Sequence, residues 1–587
     1  MRWALLVALF AGVSWADSLP TETDRLVATG KLWITVKYFH PAMAYRDVDW
    51  DRVLLEALPK IRAAQTESDY EAAVQGMMRG LGGAPISGKG QRVWIHHGFA
   101  PEDGAVASPF YSGFLYKDGN AVEEVNVPMG GNGFVVKVPL SEPANAGEPI
   151  PSPAAIVPKI ESDPYPSVEQ RILAAYKIWG VLHYFFAYRD LLDEDWDVLF
   201  TQFLPRMMAA KDGLAYNLTI AEWLTHAADT FTAPESATLT QYFGEAPVGL
   251  RLRIVEKHVT VTEVLDPEAT KAGVKVGDVV KKVDGETLVD RYKREEQYIP
   301  ASTPQRLGAD VVERILNGAD DSSALLTMED FAGNRKEVTL KRSKRFLTPL
   351  KELPAGDVVK VLRGGVGYVD LRRLKRDDVA GMFEKLQNAP AILFDMRGEA
   401  GDDEAYRMVA ARLAPPADAS DIAAEIVTGP IVSFPDVGAA QNGIASRSES
   451  YFFLKTIPNA GAASTKYKGK TVLLVDERTI RTGEEAGLYL EAANKTDVIG
   501  SPTAGAFSVY TRFVVPGGVT VSFSGEDVRH ANGGKLQRLG LQPNVTLTPT
   551  LIGIRTGKDE VLEKGLESVL PKPPNPKTLP SRAARQP

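Results

Sequence analysis

One stretch of this chain occurs twice, and that duplication limits its folds more than any other feature. Arg25, Lys31, Trp33, Tyr38, Trp50, Asp51, Leu58 and Pro59 recur as Arg171, Lys177, Trp179, Tyr184, Trp196, Asp197, Leu204 and Pro205, each pair 146 positions apart (171 − 25 = 146). A repeat of this kind must be one structural unit used twice. In both copies the apolar residues fall at helical spacing, as in Leu26, Leu32, Trp33 and Val36 and in Ile172, Ile178, Trp179 and Leu182. Each copy, over 17–92 and 167–244, is therefore expected to be a small bundle of about three helices. The matched Trp and Tyr residues are expected to be core aromatics rather than a ligand box.

The rest of the chain requires further units. At 587 residues it exceeds the roughly 100–200 residues of a single domain. Residues 93–141 alternate in strand fashion between turn signals such as Lys117-Asp118-Gly119-Asn120 and Gly130-Gly131-Asn132-Gly133, which reads as a small β module. Residues 142–166 are proline-rich and read as an extended linker, and 571–587, proline-rich and basic, as a disordered tail. With 44% hydrophobic and 24% charged residues and a net charge of -8, the chain has a soluble globular composition. Its lysines and arginines are outnumbered by acids, which argues against nucleic acid as a partner.

Arg2, the apolar run Trp3–Val13 and the small residues of Ser14-Trp15-Ala16 form a signal-peptide pattern with cleavage expected after Ala16. No apolar segment reaches the ~20 residues needed to span a bilayer. The chain has no cysteine, which removes thiol nucleophiles, thiolate metal sites, disulfides and a lipidated cysteine. Export without disulfides points to a Gram-negative periplasm.

From about 245 to 343 short strands are punctuated by glycine. Ala272-Gly273-Val274-Lys275-Val276-Gly277-Asp278-Val279-Val280, followed by Val283-Asp284-Gly285-Glu286, resembles the helix-turn-strand-turn signature of PDZ domains. Such domains take up peptide C-termini by adding a strand to a sheet edge, with loop amides on the terminal carboxylate. The resemblance places that loop at Val248, Gly249, Leu250, Arg251 and Leu252, with Arg251 adding a favourable charge or pointing to solvent. The connection over 290–310 is longer than usual, so the groove is expected to be reshaped.

Beyond residue 355, apolar strands at 367–371, 391–398, 471–475 and 498–500 are interleaved with helical stretches near 380–386 and 484–493, an order that indicates a layered α/β sheet. The stretch 355–570 resembles the core of the tail-specific (C-terminal-processing) serine proteases, including their tricorn-like branch. The whole is thus expected to be a multi-domain α/β protein: duplicated helical bundles, a β module, a PDZ domain and a layered core. In that family a strand ending in Asp-x-Arg-Gly, here Asp395-Met396-Arg397-Gly398, is followed by glycines whose amides bind an oxyanion. The resemblance assigns this region to Gly398 and Gly401, with Glu399, Ala400 and Asp402 depleting the glycine turn.

Family members attack with a serine assisted by a lysine, because a hydroxyl needs a nearby base to take its proton. Aligning the nucleophile loop on Thr479-Ile480-Arg481-Thr482-Gly483-Glu484 puts the serine position at Gly483 or, in the tricorn-like register, at Arg481. The segment Gly500-Ser501-Pro502-Thr503-Ala504-Gly505 puts the lysine position at Ala506. No histidine lies between His258 and His530 to substitute. Thr482, Glu484 and His530 remain as candidates for a rearranged site. Against them stand plainer roles: Thr482 as a helix cap, Glu484 as a first-turn acid at the helix dipole, and His530 on a hairpin turn.

His96 and His97 are adjacent and would face opposite sides of a strand, His40 and His183 fall at helix ends or in a core, and Gly80-Leu81-Gly82-Gly83 lacks the lysine of a phosphate loop. No cofactor or metal is expected. The expected function is binding of polypeptide segments or C-termini with the catalytic pair lost; the alternative is an active peptidase using Thr482.

Overall fold

The computed structural model describes residues 19–82 apart from 41, 46 and 47; 92–95; 116–144 apart from 118, 119, 122, 123 and 132; 162–413 apart from 354; 423–428; 451–456; 466–528 apart from 509; and 534–571. The leader-like segment 1–16, most of the proline-rich linker and all but the first residue of the tail lie outside the described residues.

Helices Glu22–Phe39, Trp50–Ala63 and Glu67–Arg79 are followed, 146 positions on at both ends of each, by Val168–Phe185, Trp196–Ala209 and Gly213–Thr225. Local chemistry sets these starts. Thr21 and Ser167 close capping boxes with Asp24 and Gln170, and Asp49, Thr66, Asp195 and Asp212 cap the other four helices. The matched arginines do matched work. Arg25 donates to the carbonyls of Pro20, Ile61 and Arg62, and Arg171 to those of Pro166, Met207 and Met208.

The two long helices cross where Gly30 lies against Tyr176 and Gly180 against Ile34. Each contact joins a residue to its own counterpart, as at a two-fold axis. The lysines are exchanged about the same axis: Lys31 Nζ reaches Asp197 at 2.5 Å, and Lys177 Nζ reaches Asp51 at 2.7 Å. Trp33, Tyr38, Trp50, Trp179 and Trp196 are all buried in the resulting core. Strands Glu124–Pro128 and Val135–Pro139 pair as a hairpin, and their Val127 and Val138 enter the same core.

Residues 250–341 form an antiparallel sheet in the order Arg335–Lys341, Ser323–Glu329, Val279–Val283, His258–Val264, Leu250–Val255, with Glu286–Thr287 paired to Val279–Val283. Leu250–Val255 is an edge strand, and helix Pro304–Arg314 runs beside it. That helix starts where the sequence dictates, with Thr303 as cap and Pro304 at its first position.

In the C-terminal part, Val359–Val361 pairs antiparallel with Gly367–Asp370, which continues in parallel through Ala391–Asp395, Lys470–Val475, Asp497–Gly500 and Val545–Thr546. Side chains alternate across it. Ile392, Phe394, Leu473 and Val475 share a core with residues of helices Val379–Leu386, Asp403–Leu413 and Thr482–Asn494. Ala391, Leu393, Val472 and Leu474 share another with helix Glu560–Val569, whose Gly565 lets the backbone settle onto Leu393 and Leu474. This is a three-layer α/β/α sandwich.

The hairpin Tyr510–Val515/Val519–Ser524 leaves this sandwich and buries Phe513, Val515, Val519, Val521 and Phe523 in the core of the helical repeats. It also pairs with Pro234–Glu235 from the end of the second repeat. Among the described residues no helix is long and apolar enough to cross a membrane.

Candidate active site

A parallel strand followed by a helix delivers its connecting turn to the carboxyl end of the sheet, where α/β enzymes assemble their sites. Lys470–Val475 runs into Asp476, whose carboxylate is held by Arg478 at 2.6 Å and by Arg253 at 3.2 Å. Thr479 locks the turn: its hydroxyl donates to the Met396 carbonyl at 2.6 Å and accepts the Asp476 amide. The chain then passes through Arg481 at φ 50° and ψ −119° and enters helix Thr482–Asn494. A side-chain-bearing residue rarely occupies that region, and a strand-to-helix turn with such a residue is the geometry that exposes a hydrolase nucleophile.

The two sequence registers for the nucleophile are separated by space. A Cβ on Gly483 would stand 2.5 Å from the Gly398 carbonyl oxygen, so no serine fits there. Position 481 is the elbow, and it holds arginine. Its amide donates to the Ala506 carbonyl at 3.1 Å, so the positions the family resemblance assigns to serine and lysine lie side by side, occupied by Arg481 and Ala506. The Arg481 guanidinium pairs with Glu399 at 3.2 Å. Arginine stays protonated and can serve neither as nucleophile nor as base.

Glu484 is wholly buried. It accepts the Thr503 hydroxyl and the amides of Gly505 and Ala506, at 2.7 and 2.9 Å, and so ties the helix start to the segment carrying Ala506. Burial pushes its carboxyl up to about 7, against the lowering effect of those three donors. Thr482 is the first helical residue rather than its cap, and its hydroxyl donates to the Ala400 carbonyl at 3.1 Å. A carbonyl cannot take the proton of a nucleophile. His530 lies outside the described residues. The Gly398 amide donates to Met396 and the Gly401 amide to Arg372, so neither is offered to an oxyanion in this conformation. Asp395 and Arg397 form a latch: Tyr368 and Arg397 bond the Asp395 carboxylate, and Arg397 reaches on to Asp559. Burial alone would push the Asp395 carboxyl up, but the Arg397 charge more than offsets this and brings it down to about 2.

Above Arg481 and Glu399 opens a cleft of about 530 Å³, walled by Phe231, Leu239, Tyr298 and Pro300 and by the Arg306–Asp310 ion pair. Helix Pro304–Arg314 separates it from a second hollow, a groove of about 910 Å³ between that helix and the edge strand Leu250–Val255. Gly308 faces the strand, where a Cβ would come 3.1 Å from Ile254 Cδ1, and Ile254 is exposed. The loop at the groove's start is mixed in character. The Val248 and Gly249 amides find no acceptor among the described residues, although both residues are buried. The Leu250 amide turns back to the Val248 carbonyl. Arg251 does not face a ligand: it bonds Glu263 and the carbonyls of Pro349, Leu350 and Glu352. Leu252 lines the groove wall. Gly308 and Ile254 escaped the sequence reading, because a groove is a relation between two distant elements; the Thr303-Pro304 cap was the one local signal.

A parallel α/β sandwich with a strained strand-to-helix elbow at its carboxyl end is an architecture on which hydrolase sites are built. Residues 365–547 match the family model of peptidase family S41, in agreement with the resemblance of this part of the sequence to the tail-specific proteases. Among solved structures, a CPAF single-residue mutant is similar at 12% identity, covering 68% of this chain and 97% of that one, with a TM-score of 0.53. Mature CPAF complexed with lactacystin is similar at 12% identity, covering 68% and 98%, with a TM-score of 0.50. The photosystem II D1 C-terminal processing protease is similar at 17% identity, covering 66% and 98%, with a TM-score of 0.38. No curated protein matches the chain. At these identities the likeness to the two CPAF structures concerns the fold alone.

Proposed function

We propose that this protein is an exported, periplasmic member of the tail-specific protease family that binds polypeptide C-termini through a PDZ-type unit and has lost hydrolysis. The observation that carries this reading is Arg481 at the elbow, beside Ala506, with Gly483 leaving no room for a neighbouring serine. Residues 250–341 supply the binding half. Their edge strand has a free side, a helix stands across from it, and the amides of the buried residues Val248 and Gly249, between the groove-lining Pro247 and Leu250, have no acceptor among the described residues. Buried amides without acceptors are costly, and a terminal carboxylate would satisfy both. The repeated helical units, related about their internal axis, are read as a scaffold that braces the core through the hairpin 510–524. The leader-like segment 1–16 supports export, and the absence of cysteine favours a Gram-negative periplasm over a disulfide-forming secretory route.

Purified protein mixed with unfolded substrates is expected to leave them intact. Cleavage that disappears in Thr482→Ala would overturn the loss of hydrolysis. Labelled C-terminal peptides are expected to bind, and Gly308→Leu to weaken them by at least about tenfold by filling the groove, with an unchanged melting temperature because Ile254 can swing into solvent. Peptide affinity unaffected by that substitution would place binding elsewhere.

A further inference from the structure

The groove does not end with the edge strand. Its wall passes from Leu250 and Pro247 at one end, along Leu252 and Ile254, to Glu477, Arg478, Ser501 and Thr548 at the other. These last residues belong to the sandwich, not to the small sheet. Glu477 and Arg478 follow strand Lys470–Val475, Ser501 follows Asp497–Gly500, and Thr548 lies two residues past Val545–Thr546. They therefore sit together at the carboxyl ends of three neighbouring parallel strands, the edge at which open α/β sheets take up ligands. The junction is firmly made. Arg253, in the edge strand, donates to both Glu477 oxygens at 2.7 and 2.9 Å, so the far end of the strand abuts the rim of the sandwich.

Direction follows from the loop. A peptide whose carboxylate meets the Val248 and Gly249 amides must run antiparallel to Leu250–Val255, with its upstream residues travelling toward Arg253 and beyond. Six strand residues span about 20 Å, so the last five or so residues of a ligand exhaust the small sheet. The next residues fall on the rim. Arg478 keeps about a third of its side chain exposed there, and Thr548 is exposed. The near end is apolar, with Leu250, Val312, Leu347 and Leu350 around the position of the last side chain.

We infer that the ligand is an extended C-terminal segment of about eight residues or more, apolar at its last position, read jointly by the edge strand and by the Arg478–Thr548 rim of the sandwich. This rests on the peptide-binding reading above and adds a length requirement to it. The two elements are fixed in one another's frame by Arg253 and Glu477, so binding across both incurs little extra ordering cost.

The test is a series of fluorescent peptides sharing one apolar C-terminus, four to twelve residues long, titrated against the full chain, Arg478→Ala and Thr548→Trp. Affinity is expected to rise about tenfold between four and nine residues and then level off. Both substitutions should erase that rise while leaving the four-residue peptide unchanged. Equal affinity at every length with measurable binding of the shortest peptide would overturn the length requirement alone. A rise that survives both substitutions would also overturn it, since the extra residues would then lie elsewhere. Failure of every peptide to bind would remove the peptide-binding reading itself and this inference with it.

Discussion

At position 481 the backbone stands at φ 50° with an arginine side chain, a conformation that costs on the order of 1–3 kcal/mol and persists only where the surroundings impose it. The surroundings are identifiable: the Arg481 amide is held by Ala506, the Ile480 amide by Gly398, and the Glu485 amide reaches back to Arg481. The elbow is thus held by backbone contacts that do not depend on which side chain residue 481 carries. Arg481→Gly is expected to raise the stability of the core by about 1 kcal/mol, since glycine relieves the strain and the ion pair with Glu399 that it gives up is partly exposed. Arg481→Val should lower it, and thermal melting of both variants decides the matter; a less stable glycine variant would mean that the arginine side chain itself holds the turn. Glu484 offers a second residue-scale test. Its carboxyl is raised from 4.5 to about 7 in the fold, so the folded state holds its proton more tightly than the unfolded chain does. Stability from this group is complete below about 4.5 and is lost as pH rises through about 7, with a loss on the order of 3 kcal/mol. Glu484→Gln should flatten the melting temperature against pH across that window, and a slope equal to that of the parent would assign the dependence to another group. The sequence reveals that Ser and Lys are missing from this loop, but not which register applies. That choice depends on the room beside Gly483 and on a backbone angle, neither of which spacing encodes.

Among the elements, the helical repeats were the most legible, because their determinants are local. Caps at Thr21, Asp49, Thr66, Ser167, Asp195 and Asp212 and apolar residues at helical spacing reproduce the same bounds 146 positions on. What could not be read is that the paired lysines and aspartates are exchanged between copies, since nothing local says which aspartate a lysine reaches. The exchange also breaks the symmetry energetically. The Lys177–Asp51 pair is almost fully buried, with side chains 3% and 9% exposed, whereas Lys31–Asp197 is 36% and 38% exposed. Burial would push the Asp51 carboxyl up, but Lys177 and Lys37 more than offset that and hold it well below the usual carboxylate range. Truncating a partner of a buried pair costs about 3–5 kcal/mol, and of a solvated pair about 0–1 kcal/mol. Lys177→Ala is accordingly expected to be far more destabilising than Lys31→Ala, with Lys37 moderating the loss by remaining 2.7 Å from Asp51. Chemical denaturation of the two single variants measures the gap, and equal losses would show that burial does not set the value of these pairs.

Across the whole molecule the boundary between units is not where the sequence draws it. A reading by resemblance ends the helical part near 244 and starts a separate protease-like part after 355, whereas the hairpin 510–524 carries Phe513, Val515, Val519, Val521 and Phe523 out of the latter and into the core of the former. Tyr216 donates to the Pro516 carbonyl and Tyr188 to that of Phe507, and Ser522 and Ser524 reach back to Phe231, Ala233 and Asp229. Long-range packing of this sort leaves no trace in composition or periodicity, since an amphipathic hairpin looks the same whatever covers it. The consequence is physical. A chain begun at residue 245 would keep its own sheet and elbow but lose both the strand Pro234–Glu235 and the helices over the hairpin, exposing two phenylalanines and three valines as one apolar patch. Patches of that kind drive association. Such a truncation is expected to aggregate or to bind a hydrophobic dye strongly, and adding the separately produced 17–244 segment should suppress the dye signal by re-covering the hairpin. A truncated chain that stays monomeric with no dye binding would show that the hairpin folds back onto the sandwich when uncovered, and that the helical repeats do not complete the core.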